Sequence, residues 1–218
     1  MPEEKMVSHA KVGIIGGGIM GVSLLYHLAK EEWKDLVLVE KGELTSGSTW
    51  HAAGQCPQMM GSYNLAKIHK ESNNLYKKLE KETEQPTGFH ECGSLRIAYK
   101  KEDLDWFKYV KGILDNIGAP SEIISTNEIR KVHPFIKLDG ILGAFHTPDD
   151  GHTDPTSTTN AMAKGARNYG AKIYRKNRAT DIKHLPSGEW KLITEKGDII
   201  CEHVVNAAGS YGPEVGAM

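Results

Sequence analysis

A glycine-rich segment near the N-terminus constrains the fold of this chain more than any other feature. Residues 16–21 read GGGIMG, which satisfies the pattern GxGxxG. An apolar strand predicted at 11–15 precedes the segment, and a helix predicted at 19–30 begins within it. A second apolar strand, 36–39, ends directly before Glu40. This order of strand, turn, helix, strand and acid predicts a dinucleotide-binding βαβ unit.

Each glycine of the pattern has a separate physical role. Gly16 permits a tight turn, Gly18 lets the backbone approach a pyrophosphate where a Cβ would intrude, and Gly21 lets the helix pack closely on its strand. The helix N-terminus offers unpaired N–H groups and partial positive charge to phosphates. Glu40, 24 residues after Gly16, would accept hydrogen bonds from an adenosine ribose and repel a 2′-phosphate, which disfavours NADP. The pattern alone does not separate FAD from NAD, because both use it.

The charge balance excludes nucleic acid as a partner. Lys and Arg number 27 and Asp and Glu 28, so the net charge is −1 and no basic excess remains for a phosphate backbone.

The longest apolar stretch, 12–29, is interrupted by glycines, a serine and a histidine, so we predict no membrane span. The N-terminus is acidic, unlike a transit peptide. We therefore expect a cytoplasmic protein, or a mitochondrial-matrix protein if a transit peptide has been removed.

The rest of the chain alternates predicted helices and strands, which is typical of an α/β fold with a largely parallel sheet. A long amphipathic helix is predicted over 64–83. Its inward residues are predicted to be Leu65, Ile68, Leu75 and Leu79. Asp154 before Pro155 predicts a helix N-cap with a proline in the first turn. The remaining elements are predicted as strands at 94–99, 141–146, 171–174, 179–183, 190–194 and 203–207 and as helices at 101–117 and 155–169.

Residues 44–54, LTSGSTWHAAG, carry a more specific signal. They resemble the flavin-attachment loop of the dimethylglycine and sarcosine dehydrogenase family, in the D-amino-acid-oxidase-like branch of FAD enzymes. The resemblance extends from about residue 11 to the end of the chain. Its further matching segments are TGFH at 87–90, GSLR at 93–96, DGHTDP at 150–155, VNAAG at 205–209 and EVG at 214–216.

The resemblance implies an α/β fold, namely a Rossmann-like FAD-binding domain with the first part of an α+β substrate domain inserted. Residues 1–92 would form the first segment of the FAD-binding domain. Residues 93–146 would form the partial substrate domain, and residues 147–218 the second segment of the FAD-binding domain. The remainder of the family's chain would follow Met218.

The resemblance also implies that FAD is bound covalently. In the family the loop histidine carries the flavin through a ring nitrogen bonded to a methyl carbon of the benzenoid ring, and His51 matches that position. A histidine that only packs against a non-covalent flavin is the alternative. The predicted FAD contacts are Gly16, Gly18, Ile19, Met20, Gly21, Glu40, Lys41, Gly47, Ser48, Thr49, Trp50, His51, Ala52, Ala53, Gly54, Gln55, Ala179 and Tyr211.

The resemblance also implies which part of FAD each group of these residues contacts. Backbone amides at 19–20 would face the pyrophosphate, and residues 40–41 would bracket the adenosine. Residues 47–55 would wrap the ribityl chain and the flavin ring. Ala179 stands at an adenine-facing position where the family usually has Val, and Tyr211 stands at a flavin-side position that is commonly Trp. Main-chain contacts tolerate such changes better than ring stacking does.

The family oxidises N-methyl amines by hydride transfer to the flavin. The resemblance therefore implies a substrate of the dimethylglycine or sarcosine type and an electron acceptor, either an electron-transfer flavoprotein or oxygen. Tetrahydrofolate would bind only in a C-terminal domain outside this chain. The sequence supports no catalytic residue. Two alternatives stay open: an enzyme for another amine, such as proline or a D-amino acid, and a flavin-binding fragment without turnover.

Two polar clusters are not interpreted as metal sites, and no metal is predicted. Residues 146–154 contain two histidines and three aspartates, but the Pro and Gly among them indicate a tight turn into a capped helix. Residues 90–92, HEC, offer too few ligands. Cys56, Cys92 and Cys201 lack CxxC spacing, so we expect reduced thiols.

Overall fold

The computed structural model describes residues 5–218 and divides them into two compact units. The first unit contains residues 5–53 together with residues 79–87 and 154–218. The second unit contains residues 54–78 and 88–153. Each unit has its own buried apolar cluster.

Short strands and medium-length helices alternate along the described residues. The strands are β1 His9–Ile15, β2 Leu36–Val39, β3 Gln55–Cys56, β4 His90–Glu91, β5 Ser94–Ala98, β6 Glu122–Ile124, β7 Gly143–Thr147, β8 Gly151–His152, β9 Lys172–Tyr174, β10 Ala179–His184, β11 Trp190–Thr194 and β12 Gly197–Asn206. The helices are α1 Ile19–Lys30, α2 Tyr63–Thr83, α3 Lys101–Asn116, α4 Thr126–Val132, α5 Pro155–Asn168 and α6 Gly212–Gly216, with 3₁₀ turns at Thr49–His51 and Gly209–Tyr211. Across residues 5–218, none of these helices has the length and apolar content of a membrane span.

The main sheet of the first unit has the strand order β10–β11–β12–β1–β2–β9. Strands β12, β1, β2 and β9 run parallel, as the alternation of strands and helices predicts. Strands β10, β11 and β12 pair antiparallel, which the expectation of a largely parallel sheet did not include. Gly188 and Gly197, both at positive φ, stand at the short turns that join these strands. Such turns connect only antiparallel neighbours.

Helix α1 has its predicted bounds. The apolar periodicity predicts a buried stripe of Leu24, Leu25, Leu28 and Ala29, and of these Leu25 and Ala29 are buried. Leu24 and Leu28 are only half-buried, whereas Val22 and Tyr26 are buried. The reason is the close packing of α1 against α5. A Cβ at Gly165 of α5 would lie 2.8 Å from Cε2 of Tyr26, so the glycine makes room for the ring.

Helix α5 begins and ends as the sequence predicts. Its N-cap is Asp154, whose Oδ1 accepts a hydrogen bond from the backbone N–H of Ser157 at 2.6 Å. Pro155 is the first helical residue. The helix ends at Asn168, Tyr169 is its C-cap, and Gly170 follows with φ of +98°. This φ suits glycine, which commonly ends helices in this way.

The second unit contains the antiparallel sheet β5–β7–β6 and the smaller sheet β3–β8–β4. Helix α3 packs on the larger sheet, and the rings of Phe107 and Phe145 lie 5.7 Å apart between centroids. The unit is larger than the insertion predicted at 93–146. Strands β3 and β4 both pair with β8, and this pairing draws the segments on either side of the predicted insertion into the unit.

Helix α2 has almost its predicted bounds, but the prediction of inward positions is wrong for two residues. Leu65 and Ile68 are 50% and 60% exposed, while Leu79 is buried. The buried face in this part of the helix runs through Ala66 and Asn73 instead. The side-chain amide of Asn73 donates a hydrogen bond to a backbone carbonyl of β3 at 2.9 Å. A polar contact therefore replaces part of the apolar stripe that the periodicity predicts.

Candidate functional site

The turn after β1 requires glycine because the backbone approaches itself closely there. Gly16 has φ of +119°, a conformation that residues with a Cβ rarely adopt. A Cβ at Gly16 would collide with the carbonyl of Ala207, and one at Gly21 would collide with the carbonyl of Gly16. Gly17, which the pattern does not specify, also lacks room, because a Cβ there would lie 2.8 Å from Cγ of Glu40. The packing of the protein itself therefore requires these three glycines.

Gly18 differs from its neighbours because a Cβ there would meet one side-chain atom and no backbone from another segment. In residues 5–218, Oγ1 of Thr49 is the only atom within 4 Å of a Cβ placed there, at 3.1 Å. Gly18 is the N-cap residue of α1 and offers no side-chain cap. The backbone N–H of Ile19 donates instead to Oγ1 of Thr49 at 3.0 Å. The helix start is thus held by a neighbouring loop, and the space over Gly18 stays open for a ligand.

Glu40 is buried at the carboxyl end of β2, with its carboxylate fixed by two backbone donors. Oε2 accepts a hydrogen bond from the N–H of Gly17 at 2.6 Å, and Oε1 accepts one from the N–H of Gly42 at 2.7 Å. The backbone carbonyl of Glu40 accepts from the N–H of Asn177 at 2.9 Å. Each carboxylate oxygen retains a further acceptor position. Glu40 is therefore oriented in advance and can still accept hydrogen bonds from hydroxyl groups.

A cavity of about 410 Å³ lies at the carboxyl ends of β1 and β2, within the first unit. This is where open α/β sheets bind nucleotides. Twelve of the predicted FAD contacts line it. They are Gly16, Gly18, Ile19, Met20, Glu40, Lys41, Gly47, Ser48, Thr49, Ala52, Ala179 and Tyr211.

Six predicted contacts do not line this cavity. Gly21 lies under the helix start, and Gly54 and Gln55 belong to the second unit. Trp50, His51 and Ala53 are exposed residues of the loop that supplies Thr49 and Ala52 to the wall.

The sequence analysis assigned no contact to other residues of the cavity wall. They are Ile15, Val39, Ser46, Arg178, Ala207, Ala208, Gly209, Ser210, Glu214, Val215 and Met218. Ile15 pairs with Asn206 in the parallel register of β1 and β12, so the segment after β12 must emerge beside the glycine turn. The matching segment VNAAG at 205–209 was the available signal, but it gives no contact by itself.

Lys41 and Tyr211 meet at the cavity wall. The ammonium of Lys41 lies 3.0 Å from the centroid of the Tyr211 ring, a cation–π contact. Tyr211 stands in the 3₁₀ turn after β12, whereas Lys41 follows β2. The contact therefore joins two walls that are distant in sequence.

His51 ends the 3₁₀ turn at Thr49–His51. Its backbone N–H donates to the carbonyl of Ser48 at 3.2 Å. The side chains of Trp50 and His51 are exposed, and their ring centroids lie 3.8 Å apart at 56°. Oγ of Ser48 lies 3.5 Å from Oγ of Ser210 in the segment after β12. The loop is thus anchored to the cavity wall while the imidazole remains accessible.

The residues 146–154 and 90–92, which the sequence analysis did not interpret as metal sites, are not arranged as one. In the described residues, no group of three or more His, Cys, Asp or Glu side chains is arranged to hold a metal ion. Asp150 is buried, and its carboxylate accepts hydrogen bonds from the N–H of Gln58 at 2.8 Å and from Oγ of Ser94 at 2.5 Å. Burial, aided by the charge of Asp150, raises the pKa of the Cys56 thiol to about 11.

A parallel sheet, a glycine turn, a helix start over a cavity and a buried acid after the second strand together define a dinucleotide-binding protein of the α/β class. Residues 11–218 match the family model described as DAO, FAD dependent oxidoreductase. The chain belongs to this family. The family membership decides between FAD and NAD, which the glycine pattern left open.

Three curated relatives show what the chain is similar to. It is 45% identical over 217 residues to dimethylglycine dehydrogenase, mitochondrial, of Rattus norvegicus. It is 35% identical over 209 residues to pyruvate dehydrogenase phosphatase regulatory subunit, mitochondrial, of Mus musculus, and 33% identical over 223 residues to sarcosine dehydrogenase, mitochondrial, of Homo sapiens. These matches cover 96% to 100% of this chain but 24% to 25% of the relatives, so the chain spans about a quarter of their length. The resemblance stated from the sequence is confirmed.

Two solved structures have the same fold. L-proline dehydrogenase from P. horikoshii has a TM-score of 0.89 and 28% identity, with 98% of this chain and 56% of that chain covered. Glycine oxidase from Bacillus cereus ATCC 14579 has a TM-score of 0.79 and 28% identity, with 95% of this chain and 57% of that chain covered. The predicted fold class is confirmed.

Proposed function

We propose that this protein takes part in the oxidation of an N-methylated amino acid, of the dimethylglycine or sarcosine type, with FAD bound in the cavity of the first unit. Two observations together carry the proposal. The first unit has a cavity that suits a dinucleotide, and the chain is 45% identical to a dimethylglycine dehydrogenase over 217 residues. The 33% identity to a sarcosine dehydrogenase supports the same substrate class.

The residues of the cavity fit FAD. Gly18 leaves space beside the first turn of α1, whose N–H groups and partial positive charge suit a pyrophosphate. The buried carboxylate of Glu40 suits the hydroxyls of a ribose. We assign the adenosine side to Lys41 and Ala179 and the flavin side to the loop 47–55. When bound, FAD supplies the hydride acceptor.

The substrate reaction requires an unprotonated amine. The N-methyl carbon loses a hydride equivalent while the nitrogen lone pair forms an iminium, and an ammonium has no lone pair to assist.

We propose an electron-transfer flavoprotein or oxygen as the final acceptor. Tetrahydrofolate would act only in a further domain outside this chain. The relatives' names describe those proteins as mitochondrial; for this chain a cytoplasmic location stays a prediction.

We further propose that His51 carries the flavin covalently. Its imidazole is exposed and stands on a turn anchored to the cavity wall. Such a bond would fix the isoalloxazine and make it a stronger electron acceptor. Acid-precipitated wild-type protein should remain yellow and fluorescent, whereas His51→Ala should release its flavin into the supernatant. The matched control is His184→Ala, an exposed histidine of β10, which should keep the flavin in the pellet. A colourless wild-type pellet from flavin-replete protein would refute covalent attachment.

The activity is tested by anaerobic reduction. The flavin-loaded protein, expressed from its complete gene, should lose its visible flavin absorption when dimethylglycine or sarcosine is added. Proline should leave the absorption unchanged. Reduction by proline alone would favour the alternative that the substrate is another amine, such as proline. The 28% identity to L-proline dehydrogenase is the reason to test it.

A function without turnover is the other candidate. The 35% identity to a regulatory subunit of pyruvate dehydrogenase phosphatase favours it, because that relative's name describes a subunit and not an oxidoreductase. A yellow protein whose flavin no amine reduces would support this candidate and contradict the proposed oxidation.

A further inference from the structure

The ammonium of Lys41 has an aromatic ring as its partner at the wall of the cavity in the first unit. It lies 3.0 Å from the centroid of the Tyr211 ring, and both residues line the cavity. Among residues 5–218, the Lys41 ammonium forms no hydrogen bond or ion pair. Glu43, two residues further along, is paired with Arg175 and Lys176 instead. The ring face is therefore the group that holds the charge of Lys41 in place.

The backbone that carries Tyr211 is fixed by other contacts. Oδ1 of Asn206 accepts a hydrogen bond from the N–H of Ala208 at 3.2 Å, and its side-chain amide donates to the carbonyl of Gly212 at 2.8 Å. These bonds brace both ends of the 3₁₀ turn at Gly209–Tyr211. In the described part of the chain, the Tyr211 side chain has no hydrogen bond and no aromatic neighbour. The orientation of its ring thus depends on Lys41.

The contact also places the Tyr211 ring relative to Glu40. Lys41 directly follows Glu40, whose carboxylate we assign to the ribose. The stem of a lysine has four carbons, so the ring lies within the reach of one side chain from residue 41. The family resemblance assigns residue 211 to the flavin side. The contact with Lys41 favours the adenosine half of the cofactor instead.

We propose that Lys41 and Tyr211 act as a clamp on the adenosine half of FAD, in which the ammonium holds the ring and the ring packs against the nucleotide. The inference rests on the proposed function, which places FAD in this cavity. An aromatic ring gives a large contact area, and a cation over its face is attracted by the ring's quadrupole. Tyr211 is the binding residue. Lys41 is a positioning residue, because it acts through the ring.

Equilibrium binding tests the clamp without turnover. The protein is expressed from its complete gene with His51→Ala, which removes the proposed covalent bond, and is stripped of flavin. FAD is titrated by its fluorescence, and ADP is the second probe because it carries the adenosine half without a flavin. Lys41→Met should raise the Kd of both probes about threefold, the effect of losing one exposed cation–π contact. Tyr211→Leu should raise both at least as much.

A double variant separates the clamp from a direct contact of Lys41 with the nucleotide. In the Tyr211→Leu protein, Lys41→Met should have no further effect. Lys41→Arg and Tyr211→Trp keep a cation and a ring face, so each should retain the affinity of the parent protein. The matched control is Lys67→Met, which removes another cation–π contact, 5.6 Å from the Tyr63 ring in the second unit, and should leave both Kd values unchanged.

Three results would overturn the clamp. The first is an unchanged Kd for FAD in Lys41→Met, and the second is an equal loss from Lys41→Met with and without the Tyr211 ring. The third is a Kd that rises for FAD and not for ADP, which would place the ring on the flavin side. If no amine reduces the wild-type flavin, the proposed oxidation fails, and the two titrations still decide the clamp.

Discussion

At the scale of single residues, the proposed FAD site depends most on Gly18 and Glu40. Gly18 leaves space beside the start of α1. Glu40 places a carboxylate at the cavity wall, and the backbone N–H groups of Gly17 and Gly42 orient it. The neighbouring glycines serve the packing of the protein itself, as the collisions of a Cβ at Gly16 or Gly21 show. Substitution at Gly18 therefore disturbs the fold less than substitution at Gly16 or Gly21, although a Cβ there would press on Oγ1 of Thr49.

Gly18→Val should abolish FAD retention, because the side chain would fill the space that we assign to the pyrophosphate. The measurement is flavin content per chain after purification from flavin-replete cells. Gly112→Val is the matched control, since a Cβ at this glycine of α3 has no neighbour within 4 Å in the described residues. The control should keep its flavin. A Gly18→Val protein with wild-type flavin content would contradict the phosphate assignment.

At the scale of elements, one carboxylate near the end of α2 links that segment to α1 and to the C-terminal end of α5. Glu82 of α2 pairs with Lys30 of α1 at 2.8 Å. It also accepts hydrogen bonds from the hydroxyls of Tyr26 at 2.5 Å and Tyr169 at 2.9 Å. Partial burial opposes ionisation, but the hydrogen bonds from Lys30, Tyr26 and Tyr169 prevail and hold the pKa of Glu82 below its usual range. Burial and the hydrogen bond to Glu82 raise the pKa of Tyr26 to about 12.

The lowered pKa of Glu82 predicts how stability changes with acid. Because its folded pKa is depressed, the contribution is present above the usual pKa of about 4.3. It disappears as the pH falls through the folded value. Glu82→Gln should therefore lower the free energy of unfolding by about 1 kcal/mol at neutral pH, and the difference should vanish in acid. Urea unfolding at a series of pH values measures it.

The control for this prediction is Glu71→Gln, an exposed acid on the same helix. It should show little difference from the wild type at any pH. A Glu82→Gln deficit that stays constant from neutral to acidic pH would contradict the role of the ionised carboxylate, because packing alone would then explain it.

Elements with strong local signals were predictable, and short elements were not. Helix α1 and strand β2 have their predicted bounds because apolar periodicity, a glycine turn and an acid mark them. Strands β3, β4 and β8 have two residues each, too few for any periodic pattern. Periodicity also cannot tell which neighbour covers a helix face. For this reason Leu65 and Ile68 were expected inside and are exposed.

At the scale of the whole molecule, the cavity is assembled from segments far apart in the sequence. The glycine turn and Glu40 were predictable because the pattern specifies them. The wall formed by 207–211 depends on β12 pairing with β1, a parallel pairing across almost the full chain. No local pattern encodes such a pairing, so residues 207–210 were missed as contacts, and only the family resemblance pointed to Tyr211.

The most direct test of the central claim is a crystal structure of the FAD-loaded protein. The account predicts pyrophosphate oxygens within hydrogen-bond distance of backbone N–H groups at residues 18–20. It also predicts ribose hydroxyls on the carboxylate of Glu40. Density for FAD outside the cavity at the ends of β1 and β2, or a pyrophosphate remote from Gly18, would contradict it.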